Sequence, residues 1–499
     1  MMRVLVGGWA AFSLVAVVAV VAGCGNDSDD TTPQPTGGNG GTGGTGGAGG
    51  ANTAGGGFGG GTATPCDDGI ACTAGDHIDS TGRCVSDCAL PCYANEVFCE
   101  GDCGSTCIDL DTAPGYHPAR GAYDDPEAPN PYGGETYVIS VDGSDTNDGL
   151  SIETPWATFN HANQQVQAGD RVYVRGGVYS FPQYSRIGAA GSNPNNYSMG
   201  TETAPITWRS YPGEFAILDG TGGTVLTGLL TISYANWNIV QNFEIRDSIG
   251  PGLAAQGSSD HHFTNIWTHD NFRSGSGASG IERVRFTYMT SADNFDEDLG
   301  GENADGFAVG SGQDNVFEYC LAVQNSDDGI DLWESVNNTV RFSVARDNGL
   351  GPEGNGNGFK LGGGTSGGGN LVENCIAYSN RSRGYASNTG TGNLPNTVYN
   401  NVAYDSVTGF DAHSLAHVLK NNLEYGATDH HITTEVDDQF NSWNLGTDLS
   451  DADFSSLDPT HLYTDFLRLA PDSDAVDAGV DVGLPYHGAA PDLGAFETP

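Results

Sequence analysis

Four aspartates and one lysine stand out by their spacing. Asp305, Asp327, Asp328 and Asp331 fall within 27 residues, and Lys360 follows them. Carboxylates brought close together repel one another unless a cation offsets them. Calcium takes about six to eight oxygens and suits a carboxylate cluster. A solvated acidic face is the plain alternative, and with 18 basic against 63 acidic residues, a net charge of −45, the chain has many acidic stretches. The spacing favours a metal, because Asp305 and Asp328 are 23 residues apart and 23 is the repeat of the chain. Lys360 is one of only two lysines, with Lys420, against sixteen arginines. Where plain positive charge is enough this chain mostly uses arginine, so a lysine in the acidic cluster suggests a group that must give up its proton, which a guanidinium does not do. An ion pair to Asp331 is the competing reading. A metal beside a neutral amine suits removal of a proton next to a carboxylate. In a uronic acid that proton is on C5, and its loss expels the C4 oxygen by β-elimination. Arg381 and Arg383 lie one repeat further on, where they either pair with substrate carboxylates or serve as ordinary surface charge.

The elements that must position these groups are read from the period. VQNFEIRDS, FTNIWTHDN, FTYMTSADN, FEYCLAVQN, VRFSVARDN, VENCIAYSN and VYNNVAYDS share one pattern and end at Ser248, Asn271, Asn294, Asn325, Asn348, Asn380 and Ser406. Three of the six steps are 23 residues and the others are longer by insertion. Short strands at such a period, with Asn and Gly turns, predict an all-β solenoid, a parallel β-helix from about Tyr137 to Asp448 with the C-terminal tail packed against it. The recurrent asparagines are expected to form a turn ladder, and Cys320 and Cys375 to be core thiols. A second column reads Pro251-Gly-Leu-Ala254, Ser279-Gly-Ile-Glu282, Asp305-Gly-Phe-Ala308, Asp328-Gly-Ile-Asp331, Asn357-Gly-Phe-Lys360, Arg383-Gly-Tyr-Ala386 and Thr408-Gly-Phe-Asp411. Its apolar residues should point inward and their neighbours outward to solvent, with successive coils about 4.8 Å apart. Pro155 to Gln167 reads as a short helix capping one end.

The first 136 residues are of a different kind. Residues 1–23 read as a lipoprotein signal: Arg3, an apolar run from Val4 to Val21, then Ala22-Gly23-Cys24, with Cys24 the lipidated residue. Residues 24–63 are a Gly/Thr-rich tether. Residues 64–110 hold eight cysteines, Cys66 to Cys107, and read as a disulfide module, with zinc as the competing assignment. Residues 111–136 read as a linker and residues 137–499 as the β-helix domain. These features predict export to an outer-membrane, cell-surface or extracellular location, with membrane contact only through the lipid. The charge argues against nucleic acid as a partner and, for an anionic substrate, again points to bridging cations.

NADGFA, NSDDGIDLW and GNGFKLGG, with the opening YVISVDGSDTNDG and the closing APDLGAFE, resemble the pectate lyases of polysaccharide lyase family nine. The resemblance runs from about Tyr137 to Glu497. It implies a right-handed β-helix, a calcium on Asp305, Asp327, Asp328 and Asp331, and Lys360 as the base. It also implies a monomeric, calcium-dependent lyase acting on pectate or polygalacturonate. The alternatives are a lyase or epimerase acting on another polyuronate, such as alginate or a glycosaminoglycan, and a non-catalytic glycan-binding β-helix.

Overall fold

The computed structural model describes residues 111–499 except 119, 123, 181–184, 189–198, 225–226 and 447, and the backbone of four short strands before them. Those strands form two antiparallel pairs, His77–Ile78 with Cys84–Val85 and Glu96–Phe98 with Cys107–Asp109. The signal, Cys24, the tether and the side chains of the cysteine module lie outside the described residues.

Among the described residues, the coils after the short helix contribute to two parallel sheets. One has ten strands, from Ser185–Gly188 to Asp429–Ile432, and the other has twenty. One coil shows the plan. Ile330–Asp331 lies in the ten-stranded sheet; Thr339–Arg341 and Val344–Arg346 lie in the other, with a corner between them at Phe342, φ 51°. A second corner at Asp347, φ 54°, leads into the asparagine that ends the repeat. Few side chains adopt this left-handed backbone readily, and Asn and Asp are among them.

The asparagine ladder forms as expected. Asn271, Asn294, Asn325, Asn348 and Asn380 stack, each side-chain amide donating to the Oδ1 of the next at 2.8–2.9 Å. Each Oδ1 also accepts from the backbone N–H of the preceding asparagine, as Asn348 does from Asn325 at 3.1 Å. A further ladder through Asn315, Asn338 and Asn370 was not apparent in the repeat. Inside, Phe359, Tyr385 and Phe410 stack at 4.9 and 4.7 Å. Cys320 and Cys375 are buried free thiols.

Four expectations need correcting. The helix is shorter, Phe159–Gln165, because Thr158, extended and accepting from His161 N through its side chain, caps its start and the backbone turns extended again at Val166. In the coil before Asp305, the strand is Ser276–Ser279, so Gly277 rather than Glu282 stands beneath Ala308. Glu282 bridges Gln313 at a turn, and Ile281 faces the core. The segment 111–136 is not a free linker. Gly115 donates to Tyr319 O, Tyr116 to Thr290 Oγ1 and His117 to Asn265 Oδ1, each at 2.8 Å, which straps it along the twenty-stranded sheet.

The last correction concerns exposure. The columns around Asp328 and Lys360 do not face open solvent: Asp328 is fully buried, and Lys360 is 8% exposed. The insertions after Asn294 and Asn348 fold over them, joined where Glu353 N donates to Gly300 O. Gly354 lets the second insertion approach, since a Cβ there would meet Ser326 O at 2.2 Å. The tail packs on the outer face of the long sheet, with Phe454, Phe466, Leu469 and Leu493 against Leu321, Val344, Ile376, Val402 and Leu423.

Candidate active site

Strand register places the key groups. Ala308, Asp331, Lys360, Ala386 and Asp411 are successive partners in the ten-stranded sheet, so Lys360 stands directly above Asp331. Asp305, Asp328 and Asn357 form the neighbouring column. Asp305 Oδ1 accepts from Asp328 N at 3.1 Å, and Asp328 Oδ1 accepts from the backbone and side-chain amides of Asn357, both at 2.8 Å. Carboxylate oxygens of Asp305, Asp328 and Asp331 lie within 4.8 Å of one another. Asp327 is beside them but turned, its Oδ1 taking the backbone N–H of Asn355.

Lys360 Nζ lies 2.9 Å from Asp331 Oδ2, 3.0 Å from Asp328 Oδ2 and 3.1 Å from Asn355 Oδ1. The contact to Asp328 is close in distance but lacks hydrogen-bond geometry, so Asp328 Oδ2 is left without a hydrogen bond, as is Asp331 Oδ1. Two buried carboxylate oxygens without hydrogen bonds are costly unless something else satisfies them. An oxygen-only donor set with such atoms fits a calcium ion, which uses carboxylates and imposes little geometry.

The electrostatics agree with that fit. Burial, then the charge of Asp327, raises Asp305 well above the carboxylate range. Burial, then Asp328, pushes Asp327 up to about 8. Burial pushes Asp331 up to about 6 although Lys360 opposes it. For Lys360, burial would lower the ammonium pKa, but the aspartates, Asp331 foremost, overcome this and hold it well above its ordinary value.

Of the two arginines singled out in the sequence, Arg383 borders this strip. Its Nε pairs with Asp411 Oδ2 at 2.7 Å and its side chain is 40% exposed. Arg381, expected beside a substrate, instead donates from both Nη atoms to Gly351 O and Gly354 O. It staples the loop that carries Asn355. Asn357 stands where the repeat put it, above Asp328, but Asn355 was missed because it falls in an insertion with no place in the 23-residue pattern. Trp333, 44% exposed with its ring 5.5 Å from Lys360 Nζ, was also missed; its only signal was an aromatic residue two places after Asp331.

A family model described as the Pel9A-like right-handed β-helix region matches residues 136–422. The chain belongs to this family, polysaccharide lyase family nine. The lyase is similar to Pectate lyase PEL9 of Emericella nidulans, 32% identical over 368 residues, 64% of this chain and 86% of that protein. Pectate lyase L of Dickeya chrysanthemi is 29% identical over 398 residues, 72% of this chain and 90% of that one. Among solved structures, pectate lyase Pel9A matches with a TM-score of 0.63 at 26% identity, covering 73% of this chain and 97% of that one. A rhamnogalacturonan lyase with a TM-score of 0.55 at 22% identity shares the fold. The chain is thus a polysaccharide lyase built on a right-handed parallel β-helix.

Proposed function

We propose that this lyase cleaves pectate or polygalacturonate by β-elimination, with calcium held by Asp305, Asp327, Asp328 and Asp331 and Lys360 as the base. The observation that carries this reading is a single buried amine set against a carboxylate cluster that still has two buried oxygens without hydrogen bonds. Calcium, when bound there, supplies a Lewis acid that draws charge from a uronate carboxylate and makes the C5 proton more acidic.

The rest is the work of the chain's own groups. Lys360 Nζ must be neutral to accept the C5 proton. Its charge is held by the four aspartates; once their charge is offset, burial remains and favours the neutral amine. Asp331 Oδ2 and Asn355 Oδ1 fix the position of Nζ. As the C5–H pair forms the C4–C5 double bond, the C4–O bond breaks and the departing oxygen takes a proton. Arg383, two coils past Asp331 and partly exposed, would pair with a neighbouring uronate carboxylate. Trp333 offers a ring face on which a sugar can pack. Export as a lipoprotein anchored through Cys24 would deliver the enzyme to polymer outside the cell.

The test is Lys360→Arg, assayed by the absorbance of unsaturated product on pectate, alginate and glycosaminoglycans with calcium. Arginine retains the charge but not a removable proton. The expected result is activity on pectate and a loss of roughly 10²–10⁴-fold in the variant, the range typical of general-base catalysis. Retention of more than about a tenth of the rate would overturn the base assignment. Activity confined to alginate or a glycosaminoglycan would overturn the substrate.

A further inference from the structure

Two coils beyond Lys360 in the same column is a cluster of different chemistry. Asp411, His413 and His431 bring one carboxylate oxygen and two ring nitrogens within 4.8 Å of one another. His413 Nδ1 lies 2.9 Å and His431 Nδ1 3.1 Å from Asp411 Oδ1, and the two rings stack at 5.4 Å.

Local structure explains how they meet. Asp411 is on the strand Thr408–Ala412 and His413 is the first residue past its end, two places on, where strand alternation brings it back to the face of Asp411. His431 comes from the next strand. Thr408 pairs with Asp429, so an unbroken register would set His431 beside Phe410, which points into the core. Instead the register shifts between Thr408 and Asp411, and Asp411 pairs with His431. Bulges of this kind re-aim side chains, and this one brings His431 to the outer face beside Asp411.

The other oxygen of Asp411 is held by Arg383 Nε at 2.7 Å, which fixes the carboxylate and leaves Oδ1 toward the histidines. A ligating carboxylate held by a donor on its second oxygen is a recurrent support for metal sites. Tetrahedral zinc bonded to nitrogen and oxygen at about 2.0–2.1 Å gives ligand-to-ligand edges of roughly 3.3 Å, close to the observed pairs. The histidine side chains are 30% and 59% exposed, so the remaining coordination positions are open.

We propose that Asp411, His413 and His431 form a second metal site, for an imidazole-preferring divalent transition ion such as Zn²⁺, separate from the all-oxygen aspartate cluster. Imidazole selects such ions, whereas calcium prefers oxygen. The site stands whether or not the polymer cleaved is pectate.

The test uses the full chain in excess Ca²⁺, titrated with Zn²⁺ by calorimetry and with Co²⁺ by its visible absorption. The wild type is expected to bind one more equivalent of Zn²⁺ than the His413→Ala/His431→Ala double variant, and excess Ca²⁺ should not displace it. His431→Ala changes an exposed side chain and tests the site with little risk to folding; its Co²⁺ bands should be lost or weakened several-fold. Equal zinc stoichiometry in wild type and double variant, displacement by Ca²⁺, or cobalt bands unchanged in His431→Ala would each overturn the site.

Discussion

Without calcium, the aspartate cluster should make the protein less stable as pH rises. Asp331 has a folded-state pKa of about 6 against an ordinary value of 3.8. Between these values the folded protein binds the proton that the unfolded chain has lost. The stability Asp331 contributes is therefore full below about pH 4 and lost as pH rises through 6. Two units at about 1.4 kcal/mol each come to roughly 3 kcal/mol. Asp331 is 8% exposed, so little solvent screening reduces this. Asp327, pushed up to about 8, and the half-buried Glu424, pushed up to about 7, act with the same sign. The diagnostic quantity is therefore a difference between proteins. Urea unfolding of metal-stripped wild type should show about 3 kcal/mol more loss from pH 4 to pH 8 than Asp331→Asn. Calcium at a hundred times its Kd should restore about 2.7 kcal/mol at pH 8, and much less at pH 4, where the carboxylates are protonated. Equal slopes in the two proteins, or stability that rises with pH in the stripped wild type, would refute the reasoning.

Lys360→Ala should destabilise the metal-free protein by about 3 kcal/mol, since removing one partner of a buried pair leaves charge uncompensated, and by clearly less with calcium; thermal unfolding in both states checks this. Asp328→Asn should weaken calcium binding at least tenfold by calorimetry, because it removes a charge from the centre of the cluster. Arg381→Ala should lower activity while leaving calcium affinity within a few-fold, because it frees the loop that presents Asn355 to Lys360; unchanged turnover would show that the staple is dispensable. Asn348→Ala should cost about 2–3 kcal/mol on urea unfolding, since it strips a buried acceptor from the backbone and side-chain amides of Asn325.

The vertical order of the site was legible in the sequence because a solenoid turns sequence spacing into height. Each coil must return its apolar residue to the same inward position, so a recurrence of 23 residues put Asp305 under Asp328, and the shared Gly-apolar pattern put Asp331 under Lys360. The asparagine ladder followed from the same constraint, since a buried amide at each corner needs its partner one coil away. The period failed where an insertion broke it. In the coil before Asp305 a Ser-Gly-apolar match, Ser279-Gly-Ile, imitated the true segment, Ser274-Gly-Ser, five residues earlier, and only the pairing of Ser276–Ser279 with Phe307–Gly310 separated the two. Burial also lay beyond the sequence. The insertions after Asn294 and Asn348 have no periodicity, so nothing in them showed that they fold back, that Arg381 would hold one of them, or that Asn355 would reach Lys360. The lysine read as exposed is therefore a buried one, and its charge is set by four carboxylates brought near it by tertiary packing. His431 was hidden for a related reason: a one-residue register shift is invisible along the chain, yet it decides which face of the sheet a side chain occupies.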